Sequence, residues 1–252
     1  MRPEWLAPDA QPFFVESGGQ RPKLTLELSD TFRAWRLDPT LGVISLTEDE
    51  FSALPRSERA SLVRDQVRYG RGAVPTVRAW SDLLEADALR AQADGHRFVW
   101  WPSLVDERVL ERVATRSPTG AERPFPPSRH AEVKRWPTMV PGARAMAGTF
   151  ADGSGPNCLS TVMEAAGASG VFDEWLANAC RPGGNDDDPG IVLVWRDAEA
   201  QPAHAAITLG DGWAFEKPSR EWWTRRQVLS IGDLKRGNRV RGWRLERHRI
   251  VA

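Results

Sequence analysis

The stretch His204-Ala205-Ala206-Ile207-Thr208-Leu209-Gly210-Asp211-Gly212-Trp213-Ala214-Phe215-Glu216 admits few structures. Its first part sets His204, Ala206 and Thr208 against Ala205, Ile207 and Leu209, the period-two alternation of a strand. Two glycines then bracket an aspartate, and glycine adopts positive φ without steric cost, so the chain reverses there. The stretch reads as a β-hairpin whose turn length decides where Glu216 points. With Gly210-Asp211-Gly212 as a three-residue loop, Leu209 pairs with Trp213 and Ala206 with Glu216. Glu216 then shares a face with His204 as a diagonal neighbour, about 7–8 Å away at the backbone. A two-residue loop would turn the carboxylate to the other face. The glycines permit the three-residue loop, in which Glu216 orients the imidazole; the alternative is a surface carboxylate paired with Lys217 or Arg220.

Upstream, the loop Gly153-Ser154-Gly155-Pro156-Asn157 leads into Cys158, and Leu159, Val162, Met163 and Ala166 follow at helical spacing until Gly167. A cysteine at a helix start meets unpaired N–H groups and the positive end of the helix dipole, which favour thiolate over thiol. The same N–H groups, that of Cys158 included, suit an oxyanion on a carbonyl substrate. A small buried hydrophobe is the competing reading of Cys158 alone. With His204 as general base or imidazolium partner, thiol, imidazole and carboxylate make the parts of a cysteine-nucleophile enzyme, wherever they lie in sequence.

The 252 residues leave room for two modest domains, and 41% apolar with 27% charged residues is a globular composition. Formal net charge is zero, which argues against nucleic acid or an anionic membrane as the main partner. No apolar run reaches the ~18 residues of a membrane span. Prolines and an acid stand where a signal peptide would have its apolar core, so the expected location is cytoplasmic. Two cysteines make no disulfide framework, and with four scattered histidines they give no zinc spacing; neither metal nor cofactor is expected. Cys180 is expected to be buried at a helix end, and Asn185-Asp186-Asp187-Asp188 to be a solvated loop.

Four prolines between Ser117 and Pro127 mark a stiff connector. It divides a mostly helical region, 1–120, from a second domain, 121–252. In the first, residues 1 to about 30 are expected to lie extended over the surface. Helices are expected after the capping box at Thr47–Glu50, over Ser57–Tyr69, from Ser81, and from Ser103 to Arg116, with a strand-like run at Phe98–Trp101. In the second, helices beginning at Cys158 and Phe172 precede five strands: Ile191–Trp195, Ala203–Leu209, Trp213–Glu216, Gln227–Ile231 and Arg239–Leu245. Helices followed by an antiparallel meander make an α+β fold. Twelve tryptophans suit packing mainly, with Trp222 and Trp223 as candidate groove walls.

A cysteine at a helix start, then a strand of the form His-small-small-apolar-x-apolar-Gly-Asp-Gly, then an aromatic and a carboxylate, resembles the NlpC/P60 and CHAP group of papain-like cysteine hydrolases. The likeness covers roughly residues 130 to 250, and its strong part is the hairpin. Phe150 and the glycine loop before Cys158 fit the same template, whose members often carry an aromatic and glycines there. The resemblance implies a papain-like domain with a helix-borne cysteine packed on an antiparallel sheet. It implies Cys158, His204 and Glu216 as catalytic residues; the candidate substrate-binding residues are Phe150, Asn157 and Trp213, with Trp222 from its place just after the hairpin. The substrate implied is a peptide or other amide-bearing molecule, with the first domain recruiting it or a protein partner. Two departures stand out. The group commonly has Asp-Cys-Ser-Gly where this chain has Asn157-Cys158-Leu159-Ser160, and Glu216 is nearer the CHAP habit than the His, Asn or Gln of NlpC/P60 members. These departures also admit a papain-like scaffold that binds a peptide, glycan or protein without catalysis.

Overall fold

A computed structural model describes residues 1–16, 23–120 and 125–251. Part of the expected surface segment, and Ala121–Pro124 of the expected connector, lie outside them. The chain forms two compact units: Met1–Pro126 with Glu221–Trp223, and Pro127–Arg220 with Thr224–Ala252. The division thus falls a few residues beyond the expected 120/121 boundary, and a short segment from the second half completes the first unit.

The first unit contains α1 (Leu26–Thr31), α2 (Glu48–Ala53), α3 (Arg56–Arg68), α4 (Val77–Trp80), α5 (Ala86–Gln92) and α6 (Glu107–Arg116), with the strands β1 (Ala10–Glu16) and β2 (Leu41–Thr47). The Thr47 capping box forms: its hydroxyl accepts from the Glu50 N–H, and the Glu50 carboxylate accepts from the Thr47 N–H. Several expectations are corrected. Residues 10–16 are a strand with Phe13 and Phe14 buried, because two adjacent large apolar side chains are stabilised by burial more than by a solvated extended form. Ser81 ends α4 instead of starting a helix, and the cap of α6 is Asp106, whose carboxylate accepts from the Val109 N–H. Phe98–Trp101 forms no strand ladder; its side chains are buried, with Phe98 and Trp100 edge-on at 4.9 Å.

β1 and β2 pair antiparallel with Phe14 opposite Val43, which leaves one edge of β1 facing α3. The buried Gln66 of α3 closes that edge: its amide accepts from the Phe14 N–H at 2.8 Å and donates to the Phe14 carbonyl at 3.0 Å. One side chain stands in for a missing strand, satisfying two backbone groups that cannot reach water. Trp222 is fully buried among the side chains of this unit, its indole N–H donating to Thr31 Oγ1 at 2.8 Å and its ring 5.7 Å from that of Trp5.

The second unit is an antiparallel sheet with helices on both faces. Its elements are α7 (Ala143–Met146), α8 (Cys158–Ala165), α9 (Phe172–Ala179), β3 (Cys180–Pro182), β4 (Ile191–Arg196), β5 (Pro202–Gly210), β6 (Trp213–Glu216), β7 (Gln227–Ser230), α10 (Ile231–Gly237) and β8 (Arg244–Ile250). The strand order is β3-β8-β4-β5-β6-β7. Val192, Val194, Ala205, Ile207 and Phe215 pack with Val162, Met163 and Leu176 of α8 and α9, while Leu193, Trp195, Ala206 and Ala214 pack with Ile231 and Leu234 of α10. The chain is thus mixed α and β with antiparallel sheets. Ile231 begins a helix capped by Ser230 instead of ending a strand, and the last strand lies five residues later than expected. Asp186 and Asp188 of the acidic loop pair with Lys235 and Arg247, and with Arg249. Among the described residues no helix is long and apolar enough to cross a membrane.

Replacing Gln66 by Leu keeps the volume but strands both Phe14 groups. The first unit should lose about 2–4 kcal/mol, read as a lower urea midpoint, whereas a loss below ~0.5 kcal/mol would show that Gln66 does not close the strand edge.

Candidate active site

Cys158 is the first residue of α8, and Asn157 caps it. The Asn157 side-chain oxygen accepts from the Leu159 and Ser160 N–H groups at 3.0 and 3.1 Å, and Ser160 Oγ accepts from the Asn157 N–H at 3.0 Å. This box holds the helix tip without a formal charge, where a capping aspartate would set a like charge beside a thiolate. Because Asn157 takes the next two amide hydrogens, the first-turn donor these bonds leave is the N–H of Cys158 itself. The preceding loop is tied down by a bond from the Gly155 N–H to the Arg220 carbonyl at 3.3 Å.

His204 arrives on β5, and the hairpin is built differently from expectation. Trp213 pairs with Gly210, Ala214 with Thr208 and Phe215 with Ile207. The turn is therefore the two residues Asp211 and Gly212, with φ of 52° and 79°, the pattern of a primed hairpin turn. Leu209 is the extra residue of a bulge beside Gly210, whose φ is 83°. A two-residue turn alone would send Glu216 to the far face; the bulge adds the residue that brings it back. Glu216 ends across from Ala206 and diagonal to His204, as the longer loop would have left it. A second irregularity, opposite Trp195 and Arg196 of β4, falls just before His204.

The result is a buried pair. His204 Nε2 and Glu216 Oε2 are 2.6 Å apart, the ring N–H donating to the carboxylate. The other carboxylate oxygen, Oε1, accepts from the side-chain amide of Gln227 at 2.8 Å. Exposures are 9% for Cys158, 4% for His204 and 3% each for Glu216 and Gln227. With Nε2 committed to Glu216, Nδ1 is the ring nitrogen left to face sulfur. Burial pushes the Cys158 thiol up, but the neighbouring His204 imidazole and the Ala205 N–H more than reverse that and leave its pKa below the ordinary value. Burial likewise pulls His204 down, and the sulfur and the Glu216 carboxylate together outweigh it, raising the imidazole to about 10. Both shifts favour the same state, thiolate beside imidazolium. Cys180, by contrast, is pushed up to about 11 by burial, as an inert core thiol is.

A cavity of about 270 Å³ borders Cys158 and His204. Leu159, Pro202, Pro218 and Trp243 supply apolar walls, Asn157 and Asn238 supply amides, and Arg220 lies on the lining. Of the expected substrate-binding residues, Asn157 is in this lining. Trp222 is a core residue of the first unit, held by Trp5 and Thr31. Trp213 is covered by the Arg129 guanidinium, 4.6 Å from its ring. Phe150 makes an isolated bridge with Arg225, whose guanidinium lies 4.7 Å over its ring. Both aromatics face arginines instead of the cavity. Lys217, offered as a partner for Glu216, is fully buried and donates to the Ser219 carbonyl and Thr224 Oγ1. Sequence patterns do not single out Gln227, Asn238 or Trp243. Gln227 sits directly opposite Glu216 on β7, a pairing visible only once strand register is known. Among the described residues no cluster of His, Cys, Asp and Glu could hold a metal ion.

No protein-family model matches the chain, and no curated protein matches it significantly.

Stability should follow the two shifts. His204 contributes fully below its unfolded pKa of about 6.5 and loses that contribution as pH rises through about 10. Cys158 contributes above its unfolded value and loses that as pH falls through its lowered folded one. Above about pH 8.5 only the His204 contribution still changes, so stability falls as pH rises towards about 10; at lower pH the two contributions change in opposite senses. Urea unfolding across pH should show the Cys158-dependent loss towards acid in the wild type and not in C158A; identical profiles would mean that the pair is not ionised.

Proposed function

We propose that the chain is a cysteine-nucleophile hydrolase or acyltransferase with a papain-like catalytic unit, acting on an amide or ester carbonyl through a thioester. The observation carrying this reading is that a helix-tip cysteine and a strand histidine border one cavity, with a buried glutamate bonded to that histidine. In this reading the Cys158 thiolate attacks the carbonyl carbon. A carbon–sulfur bond forms and the carbonyl oxygen becomes an oxyanion, for which the Cys158 N–H is the proposed donor. The oxyanion then collapses to the thioester carbonyl as the carbon–nitrogen or carbon–oxygen bond to the leaving group breaks, and the His204 imidazolium gives its proton to the departing amine or alkoxide. Water or an amine attacks the thioester, His204 takes its proton, and the thiolate departs. Glu216 holds the imidazolium through Nε2 and so fixes which ring nitrogen faces sulfur.

The cavity walls suit a peptide or similar acyl donor of modest size. Leu159, Pro202, Pro218 and Trp243 offer apolar surface beside the reacting carbon, and the Asn157 and Asn238 side chains can meet amide groups. In the same reading the first unit recruits the substrate or a protein partner.

A peptidyl electrophile such as a vinyl sulfone should label the wild type once, at Cys158, and leave C158A unlabelled by intact mass. H204A should lose the imidazolium that opposes burial and slow labelling at pH 6 by tenfold or more, roughly one pKa unit. E216Q should slow it by about 10–100-fold. Labelling that moves to Cys180, or an unreactive Cys158 in the folded protein, would remove the basis for an enzyme.

A further inference from the structure

Glu216 spends both of its oxygens on side chains. One meets His204; the other, Oε1, meets the Gln227 amide across the β6–β7 ladder at 2.8 Å. Glu216 and Gln227 are register partners, so their side chains leave the sheet on the same face. All three groups are almost wholly out of water. A carboxylate in such a place keeps its charge only if donors replace the water it has lost. His204 supplies one, and Gln227 supplies the second.

We infer that Gln227 is a positioning residue for the proposed cysteine chemistry: by donating to Glu216 Oε1 it fixes the rotation of that carboxylate and aims Oε2 at His204. It touches neither sulfur nor substrate in this role and acts through Glu216. The charged neighbours do not duplicate it. The groups acting on His204 are Cys158 and Glu216. On α10, which packs over the same face, Asp233 and Arg236 pair with each other and Lys235 pairs with Asp186. An amide is also better suited here than a cation, which would compete with the imidazolium for the carboxylate and weaken its hold on the thiolate.

The inference rests on the proposed function, but its test can be separated from it. Gln227→Leu removes the donor at similar volume. The His204 ring, followed by NMR on the labelled full chain, should titrate about one pH unit lower in Q227L than in the wild type. The acid-side midpoint of Cys158 alkylation by iodoacetamide should rise by a similar amount, about tenfold less reaction at pH 6. Gln227→Glu tests the chemistry of the donor. The introduced carboxyl restores the hydrogen bond only while protonated, so Q227E should approach wild-type behaviour as pH falls and depart from it as pH rises. If Q227L does not fold, this pH-dependent divergence of Q227E carries the test. An unchanged His204 titration in folded Q227L, or a Q227E profile parallel to the wild type, would overturn the positioning role. A wild-type Cys158 that resists alkylation while Q227L still shifts His204 would sink the enzyme reading and leave the positioning role standing.

Discussion

A carboxylate and an imidazole held 2.6 Å apart, each about 95% or more out of solvent, organise the second unit. Such a pair is stable only when the remaining polar atoms find partners and the strands carrying it keep one register. The fold meets both conditions. Gln227 takes the free carboxylate oxygen, Cys158 faces the imidazole, and a bulged hairpin sets the offset between β5 and β6. A slip of one residue along that hairpin would exchange the faces of the strand and dissolve the pair. Leu209 and Gly210 therefore matter to the site although neither touches it.

The thiol is tuned by opposed effects. Burial alone makes a cysteine a weaker acid, as Cys180 shows with a pKa pushed up to about 11. Cys158 is also buried, yet its pKa lies below the ordinary value, because the imidazole beside it and the Ala205 N–H compensate for the lost water. The two cysteines of the chain thus separate into a structural thiol and a reactive candidate by their neighbours, not by their exposure. The helix cap acts in the same direction. A neutral Asn157 satisfies the first turn while adding no negative charge near sulfur.

The tryptophans show where pattern reading stops. Trp222 follows the hairpin closely in sequence, which makes it a natural candidate for a groove wall. It lies instead in the first unit's core, with its indole bonded to Thr31. The wall beside Cys158 comes partly from Trp243, which follows α10. Trp213 and Phe150 each lie under an arginine. An aromatic next to a site in sequence carries no information about which side of the backbone it occupies once turns and bulges intervene.

What the chain's residues determined by themselves is local: the alternation of β5, a reversal within Gly210-Asp211-Gly212, the helix after Asn157 and the capping box at Thr47. Each follows from backbone preferences and side-chain periodicity within a few residues. The tertiary structure decided what depends on pairing between distant segments. It made the turn two residues with a bulge instead of three, placed Gln227 across from Glu216, closed the β1 edge with Gln66, and carried Trp222 away from the hairpin it follows. Register, edge protection and burial are properties of two elements meeting, and neither element's own sequence contains the other's position.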